Sequence, residues 1–431
     1  MSTEINRRQF LGRAAVGGAV AGLGLTSAAR AQSPNDQIVV GVLGAQRGAP
    51  LARNFAQQDN CVVKYVCDVD TNRADELAGA LDELTGEAPN AVQDFRRVYD
   101  DPDVDAVVLA LPVHWHALGS IMALQADKHV YVEKPCCHSP REGELLVEAA
   151  RHYGKAVQMG NQRRSWPQLR EGMQRMHEGD IGRVYYARCW YASTRGPINL
   201  GEEVDPPEHL DYEMWQGPAP RRPYVENLIH YNWHWFWHWG TGEAGNNGVH
   251  AIDLARWGLG ADYPIRVSSA GGRYRFDDDQ ETPDTHVLTF DFPDDKTMMW
   301  ECLSCNQPGL GGTGFGATFY GEDGSLVIEG GRAGGYTILD VEGREVETVD
   351  GPAADEPHVE DFLTAIRNDA PLDLHSKIEE GYKSSLLPLL GNISHRVGRS
   401  LTCGEYGRIE GDSEAESYWE REYEPGWEPE V

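Results

Sequence analysis

Between residues 38 and 159 short apolar runs alternate with longer segments of helical period. The runs 38–43, 61–67, 104–111, 130–132 and 155–159 are rich in valine and other apolar residues, the pattern of strands buried on both faces. Segments of helical spacing separate them: 50–58, one opening at Thr71, one reaching Ala126, and one running from Ser139 to Tyr153. Ser139 with Glu142 three residues on reads as a capping box. This β-α-β-α order predicts an α/β architecture, a doubly wound parallel sheet over residues 34–160. After Gly160 the rhythm changes. A helix near 167–178 precedes strands of alternating polarity at 182–190, 266–275, 285–292, 297–303, 316–320, 325–329 and 336–341, and helices follow at 359–367 and 377–397. Residues 161–431 are therefore expected to form an α+β domain with an open, mainly antiparallel sheet. The Glu-, Trp- and Tyr-rich tail at 411–431 is expected either to dock as an extension or to fray.

The 431 residues carry a net charge of −30 with only seven lysines. Such a surface repels nucleic acid and anionic membrane, which excludes both as partners. The first residues do not belong to the fold. Asn6-Arg7-Arg8-Gln9-Phe10-Leu11-Gly12 matches a twin-arginine export signal, and Ala29-Arg30-Ala31 offers a cleavage site, so 1–31 is expected to be removed. The mature protein is then periplasmic or extracytoplasmic. Twin-arginine export carries folded proteins, often with a cofactor already inside. No metal site is read: Cys302-x-x-Cys305 stands without the further ligands that zinc needs.

Two constellations carry chemistry. In the first domain, run 38–43 leads into Gly44-Ala45-Gln46-Arg47-Gly48 and a helix, the context of a dinucleotide-binding turn, although the usual second glycine is missing. Asp68 ends the next strand, where an acidic residue accepts hydrogen bonds from an adenosine ribose and repels a 2′-phosphate; NAD is favoured over NADP. Three further strand ends open at the same edge of the sheet: Leu111-Pro112 running into His114 and His116, Glu133-Lys134-Pro135, and Gln162-Arg163. Lys134 sits at a rigid strand end, where an amine is a tunable acid or hydrogen-bond donor.

The second constellation is Tyr231-Asn232-Trp233-His234-Trp235-Phe236-Trp237-His238-Trp239, followed by Asn246, His250 and Asp253. Aromatic faces flanked by polar groups suit sugar rings, and an aromatic cluster packed at a domain interface is the structural alternative. His250 and Asp253 share a helix face, so Asp253 is expected to orient the imidazole.

These motifs together resemble the glucose–fructose oxidoreductase/inositol dehydrogenase (Gfo/Idh/MocA) family over nearly the whole mature length. The features are the glycine turn, Cys67-Asp68-Val69-Asp70, Pro112-x-His114-Trp115-His116, Glu133-Lys134-Pro135 and Gly248-x-His250-x-x-Asp253. The resemblance implies NAD(P) in the first domain, a sugar or cyclitol over the second sheet, and a homodimer or homotetramer formed through that sheet. It also implies that Lys134 and His250 flank the reacting carbon. Tyr231, Trp233, His234, Asn246, Asp253 and Arg163 then become the candidate substrate residues. Two departures stand out: the altered glycine turn, and Asn246 where many dehydrogenases of the family have aspartate. The expected activity is oxidation of a secondary sugar hydroxyl with a retained, recycled cofactor. An NAD-requiring glycosidase and a sugar-binding protein without turnover are the alternatives.

Overall fold

The computed structural model describes residues 37–330 and 334–431; the twin-arginine segment lies outside the described residues. The first sheet has six strands: β1 (Ile38–Leu43), β2 (Cys61–Cys67), β3 (Asn90–Val92), β4 (Ala106–Leu109), β5 (His129–Val132) and β6 (Val157–Met159). They lie in the order β3-β2-β1-β4-β5-β6, all parallel. The order reverses beside β1, so the crevice at the carboxyl ends of β1 and β4 is where such a sheet takes a ligand. Helices α1 (Gly48–Ala56), α2 (Thr71–Thr85), α3 (Val113–Gln125) and α4 (Pro140–Tyr153) make the crossovers. The Ser139–Glu142 capping box is present at the start of α4.

After helix α5 (Pro167–Glu178) comes a sheet of nine strands. They are β7 (Tyr186–Ala192), β8 (Arg266–Gly272), β9 (Thr285–Phe292), β10 (Lys296–Leu303), β11 (Phe315–Tyr320), β12 (Gly324–Glu329), β13 (Tyr336–Asp340), β14 (Glu345–Val349) and β15 (Leu401–Thr402). Every pairing is antiparallel except β7 with β10. β7 starts four residues later than the alternation predicts. Helices α6 (Val249–Leu259) and α8 (Ile378–Val397) cover one face, burying Leu288, Phe290, Trp300 and Phe319 against Leu254, Leu387 and Leu390.

Two features run against the simple partition into halves. Helix α7 (Glu356–Arg367) returns to the first sheet, where Val359, Phe362 and Leu363 join Val40, Val42, Phe55 and Tyr131 in one core. The tail docks. Arg421 donates to a Glu142 carboxylate oxygen and to the His114 carbonyl, both at 2.7 Å, and the Trp427 ring lies 5.3 Å from Trp115.

Burial holds His114, His286 and His358 neutral, pushing their pKa values down to about 3, 3 and 4. The unfolded chain takes up these protons below about pH 6.5 and the folded chain does not. Stability is thus full above that pH and falls toward pH 4, by on the order of 1.4 kcal/mol per pH unit for each ring. Denaturant midpoints at pH 7 and pH 5 measure this; equal midpoints would contradict it.

Candidate active site

The carboxyl ends of β1, β2, β4 and β5 open on a cleft of about 360 Å³. Gly44, at the end of β1, has φ +92°, and a Cβ there would stand 2.4 Å from the Ala110 carbonyl oxygen. Only glycine lets the turn lie so close to β4. Asp68 accepts from the Ala45 amide at 2.7 Å and from the Asp70 amide at 2.9 Å, which anchors its carboxylate at the crevice. Next to it an apolar slot, walled by Leu43, Phe95, Leu111, Met214 and Trp215, also touches Asp68. Apolar walls beside an acidic strand end are the chemistry that an adenosine needs, an apolar face for the base and an acceptor for the ribose, so these residues suit the dinucleotide. Gln46 and Arg47 line the cleft in place of a second glycine, whereas Gly48 turns inward against Val42.

Glu133 ties the strand ends together. It accepts from Arg47 Nε at 3.0 Å and from Gln162 at 3.2 Å, and Arg47 also reaches Asp355 at 3.4 Å. Leu111, Pro112 and His116 line the cleft as expected. The ring nitrogens of His116 lie 2.6 Å from the Pro135 carbonyl and 2.7 Å from the Leu111 carbonyl; burial pushes its pKa down, and the neutral ring donates to one of the two.

Lys134 leaves the end of β5 and crosses to the second half of the chain. Its Nζ donates to the Asn246 carbonyl at 2.9 Å and to Asn246 Oδ1 at 3.2 Å. Asn246 sits in a π-helical turn, Ala244–Gly248, that feeds directly into α6. Such a turn disturbs the regular i→i+4 ladder, which makes a carbonyl available to an outside donor. Burial lowers the pKa of Lys134, with Glu133 opposing. His250, in the first turn of α6, is half-buried, and among the described residues its ring makes no hydrogen bond. Burial first, then the charges of Lys134, Arg163 and Arg47, hold its pKa well below the ordinary value. The ring is thus held neutral and feels the charge of Lys134, although it is not among the residues that line the cleft. Tyr231, Trp233 and His234 close the cleft from the second half, with the His234 ring stacked 3.6 Å from Trp233.

His250 and Arg163 are not among the residues that line the cleft, and Asp253, His114 and Gln162 are engaged elsewhere. Asp253 does not orient His250. It is buried, accepts both carboxylate contacts from Arg164 Nε at 2.9 and 3.0 Å, and accepts from the Ser384 hydroxyl. His114 is buried against Trp215 and Trp239 and hydrogen-bonds the Trp215 carbonyl at 2.9 Å, outside the cleft. Gln162 is buried behind Glu133 and Tyr131. Conversely, Arg73, Trp215 and His230 line the cleft without any sequence signal. Arg73 comes from α2, whereas Trp215 and His230 belong to a strap: the Asp211 amide donates to the Val69 carbonyl at 2.9 Å, the Thr71 amide to the His209 carbonyl at 3.1 Å, and His230 meets Asp70 at 3.0 Å. The strap brings the second half of the chain across the turn after β2.

A family profile described as "Oxidoreductase family, NAD-binding Rossmann fold" matches residues 38–161, and one described as "Oxidoreductase family, C-terminal alpha/beta domain" matches 187–288. A levoglucosan dehydrogenase of Pseudarthrobacter phenanthrenivorans is 27% identical over 190 residues, 43% of this chain and 42% of the relative. A glycosyl hydrolase family 109 protein of Shewanella woodyi is 30% identical over 125 residues, 28% of this chain and 27% of the relative. The chain thus spans less than half the length of these curated relatives. The fold match runs further: a solved levoglucosan dehydrogenase in complex with NADH and levoglucosan superposes with TM-score 0.66 at 20% identity, over 85% of this chain and 99% of that one. With the two profiles together spanning more than half of the 431 residues, the chain belongs to the Gfo/Idh/MocA oxidoreductase family, and its first domain is an NAD-binding Rossmann domain.

Proposed function

We propose that this protein oxidises a secondary hydroxyl of a sugar or cyclitol and keeps its NAD bound between turnovers. The reading rests on Lys134, in the cleft, donating to Asn246 in the turn that leads into His250, whose neutral imidazole feels the charge of Lys134. Bound NAD supplies the hydride acceptor. Gly44, Gln46, Arg47 and Asp68 hold it, with Leu111 and Pro112 against the adenosine side. His250 accepts the hydroxyl proton. Lys134, steered by Asn246, donates a hydrogen bond to the same oxygen and stabilises its developing charge. Tyr231, Trp233 and His234 offer the aromatic wall on which a sugar face rests. That relatives include proteins named for levoglucosan and inositol oxidation supports the substrate class.

The strap's contacts to the turn after β2, beside the strand end that would hold the adenosine, support retention of NAD. Purified protein is expected to carry bound nicotinamide, to be reduced once by an oxidisable sugar without added NAD, and to be reoxidised by a carbonyl-bearing sugar. Absorbance of the bound nicotinamide across a sugar panel reads this out. Protein that binds no nicotinamide, or none that any sugar reduces, overturns the reading. The glycosyl hydrolase relative motivates a second outcome, in which transient oxidation assists loss of an aglycone. Aglycone release without net NADH marks it.

Export by the twin-arginine segment belongs to the same proposal and accounts for the need to recycle a captive cofactor. N-terminal sequencing of the mature protein should read from Gln32, and an intact Met1 start would count against it. Association through the uncovered face of the nine-stranded sheet, where Tyr186, Arg188, Met299 and Tyr320 remain half-buried, is expected as well. A monomeric mass by light scattering would speak against it.

A further inference from the structure

We propose that His234 selects the substrate by accepting a hydrogen bond from a second hydroxyl, other than the one that reacts; the inference rests on the sugar oxidoreductase reading above. His234 lines the same cleft as Lys134, Tyr231 and Asn246. Its Nδ1 lies 2.6 Å from the Tyr231 carbonyl oxygen. A carbonyl can only accept, so Nδ1 carries the proton and Nε2 keeps a bare lone pair. Among the described residues Nε2 meets no hydrogen-bond partner, and the half-buried side chain leaves it open to a ligand.

The ring is fixed in place. It stacks on Trp233 at 3.6 Å with 20° between the planes, and the rings of Tyr231 and Trp235 stand 4.7 and 5.6 Å away. The Trp233 indole in turn donates to the His230 carbonyl at 2.9 Å. Burial, opposed by the Tyr231 carbonyl, pushes the His234 pKa down to about 3, so the ring is uncharged at neutral pH.

The other side chains that the second half of the chain brings to the cleft are donors or already engaged. The oxygen of Asn246 accepts from Lys134. The Tyr231 hydroxyl accepts from the Asn246 amide at 3.5 Å and so presents its own proton. His230 is held by Asp70, and indoles such as Trp215 and Trp233 only donate. Nε2 of His234 is the acceptor left open on that wall. A ligand atom opposite it must bring a proton. A free hydroxyl does so, whereas a ketone, a carboxylate or an ether at that position leaves the lone pair unpaired and faces it with another acceptor. The site therefore takes a polyol with a free hydroxyl at that position and rejects the same sugar once that oxygen is oxidised or alkylated.

The test compares glucose, galactose, mannose and myo-inositol with their monodeoxyfluoro derivatives, because fluorine nearly keeps the size of a hydroxyl but brings no proton. Affinity is measured by calorimetry on the protein with its own nicotinamide, and reduction of that nicotinamide is followed separately. A fluorinated sugar that still reduces the nicotinamide marks its position as a non-reacting one. At one such position fluorine is expected to weaken binding roughly 10- to 100-fold. In His234→Phe, which keeps a ring to stack on Trp233, that ratio should fall to about one. Fluorinated sugars that bind as well as their parents at every non-reacting position, or a ratio that survives the substitution, overturn the inference, while reduction by the parent sugars leaves the oxidoreductase reading standing. Nicotinamide that no member of the series reduces sinks that reading as well. The wild-type series alone decides the case should His234→Phe fail to fold.

Discussion

Lys134→Met is expected to slow sugar oxidation by roughly 10²–10⁴-fold, the range over which a positioned proton donor or acceptor acts. The methionine keeps the length and the apolar stem but removes the amine that donates to Asn246 and that the proposed reaction needs as hydrogen-bond donor. Stability should change little, because burial already opposes the charged amine and the substitution removes the charge outright. Rates normalised to bound nicotinamide separate a loss of chemistry from a loss of cofactor. His250 should then lose its largest charged neighbour, so its pKa moves back upward and activity falls away at a higher pH than in the parent. Turnover within about threefold of the parent would remove Lys134 from the reaction.

Arg164→Met should destabilise the fold by about 3–5 kcal/mol, the usual cost of stripping one partner from a buried ion pair. Asp253 is 1% exposed and would keep only the Ser384 hydroxyl. Asp253→Asn supplies the companion result. Were Asp253 to orient His250, the amide would shift the pH profile of kcat and leave the melting temperature alone. The geometry predicts the reverse: a lower melting temperature and an unmoved pH profile. Thermal melts and pH–rate profiles of the two variants settle the point.

The case of Asp253 also marks how far the sequence can be read. Strands such as Ala106–Leu109 announce themselves because both faces are buried and every residue is apolar. Ser139 and Glu142 announce a helix start through a local, three-residue geometry. The positions of Lys134 and His250, at the end of β5 and in the first turn of α6, were legible for a related reason, since each follows from an element the sequence announces. Asp253 was assigned to His250 by the same local argument, three residues apart on a helix. Its actual partner, Arg164, is 89 residues away in sequence, and nothing local announces such a pairing. His114 failed likewise: its motif lies at the edge of the cleft, but Trp215, about a hundred residues on, draws the ring into an aromatic cluster. The strap and the docking of the tail through Arg421 were invisible for the same cause. The helical period of 359–367 indicates an apolar stripe but not which of two sheets receives it.

That last stripe has a consequence for how the molecule is made. Because Val359, Phe362 and Leu363 complete the core around Val40, Phe55 and Tyr131, a growing chain cannot seal its N-terminal layer until most of its length has left the ribosome. The nucleotide pocket matures late, when both ends of the polypeptide have met. A chain truncated after the sixth strand should expose a bare apolar face and aggregate rather than yield a free-standing nucleotide module.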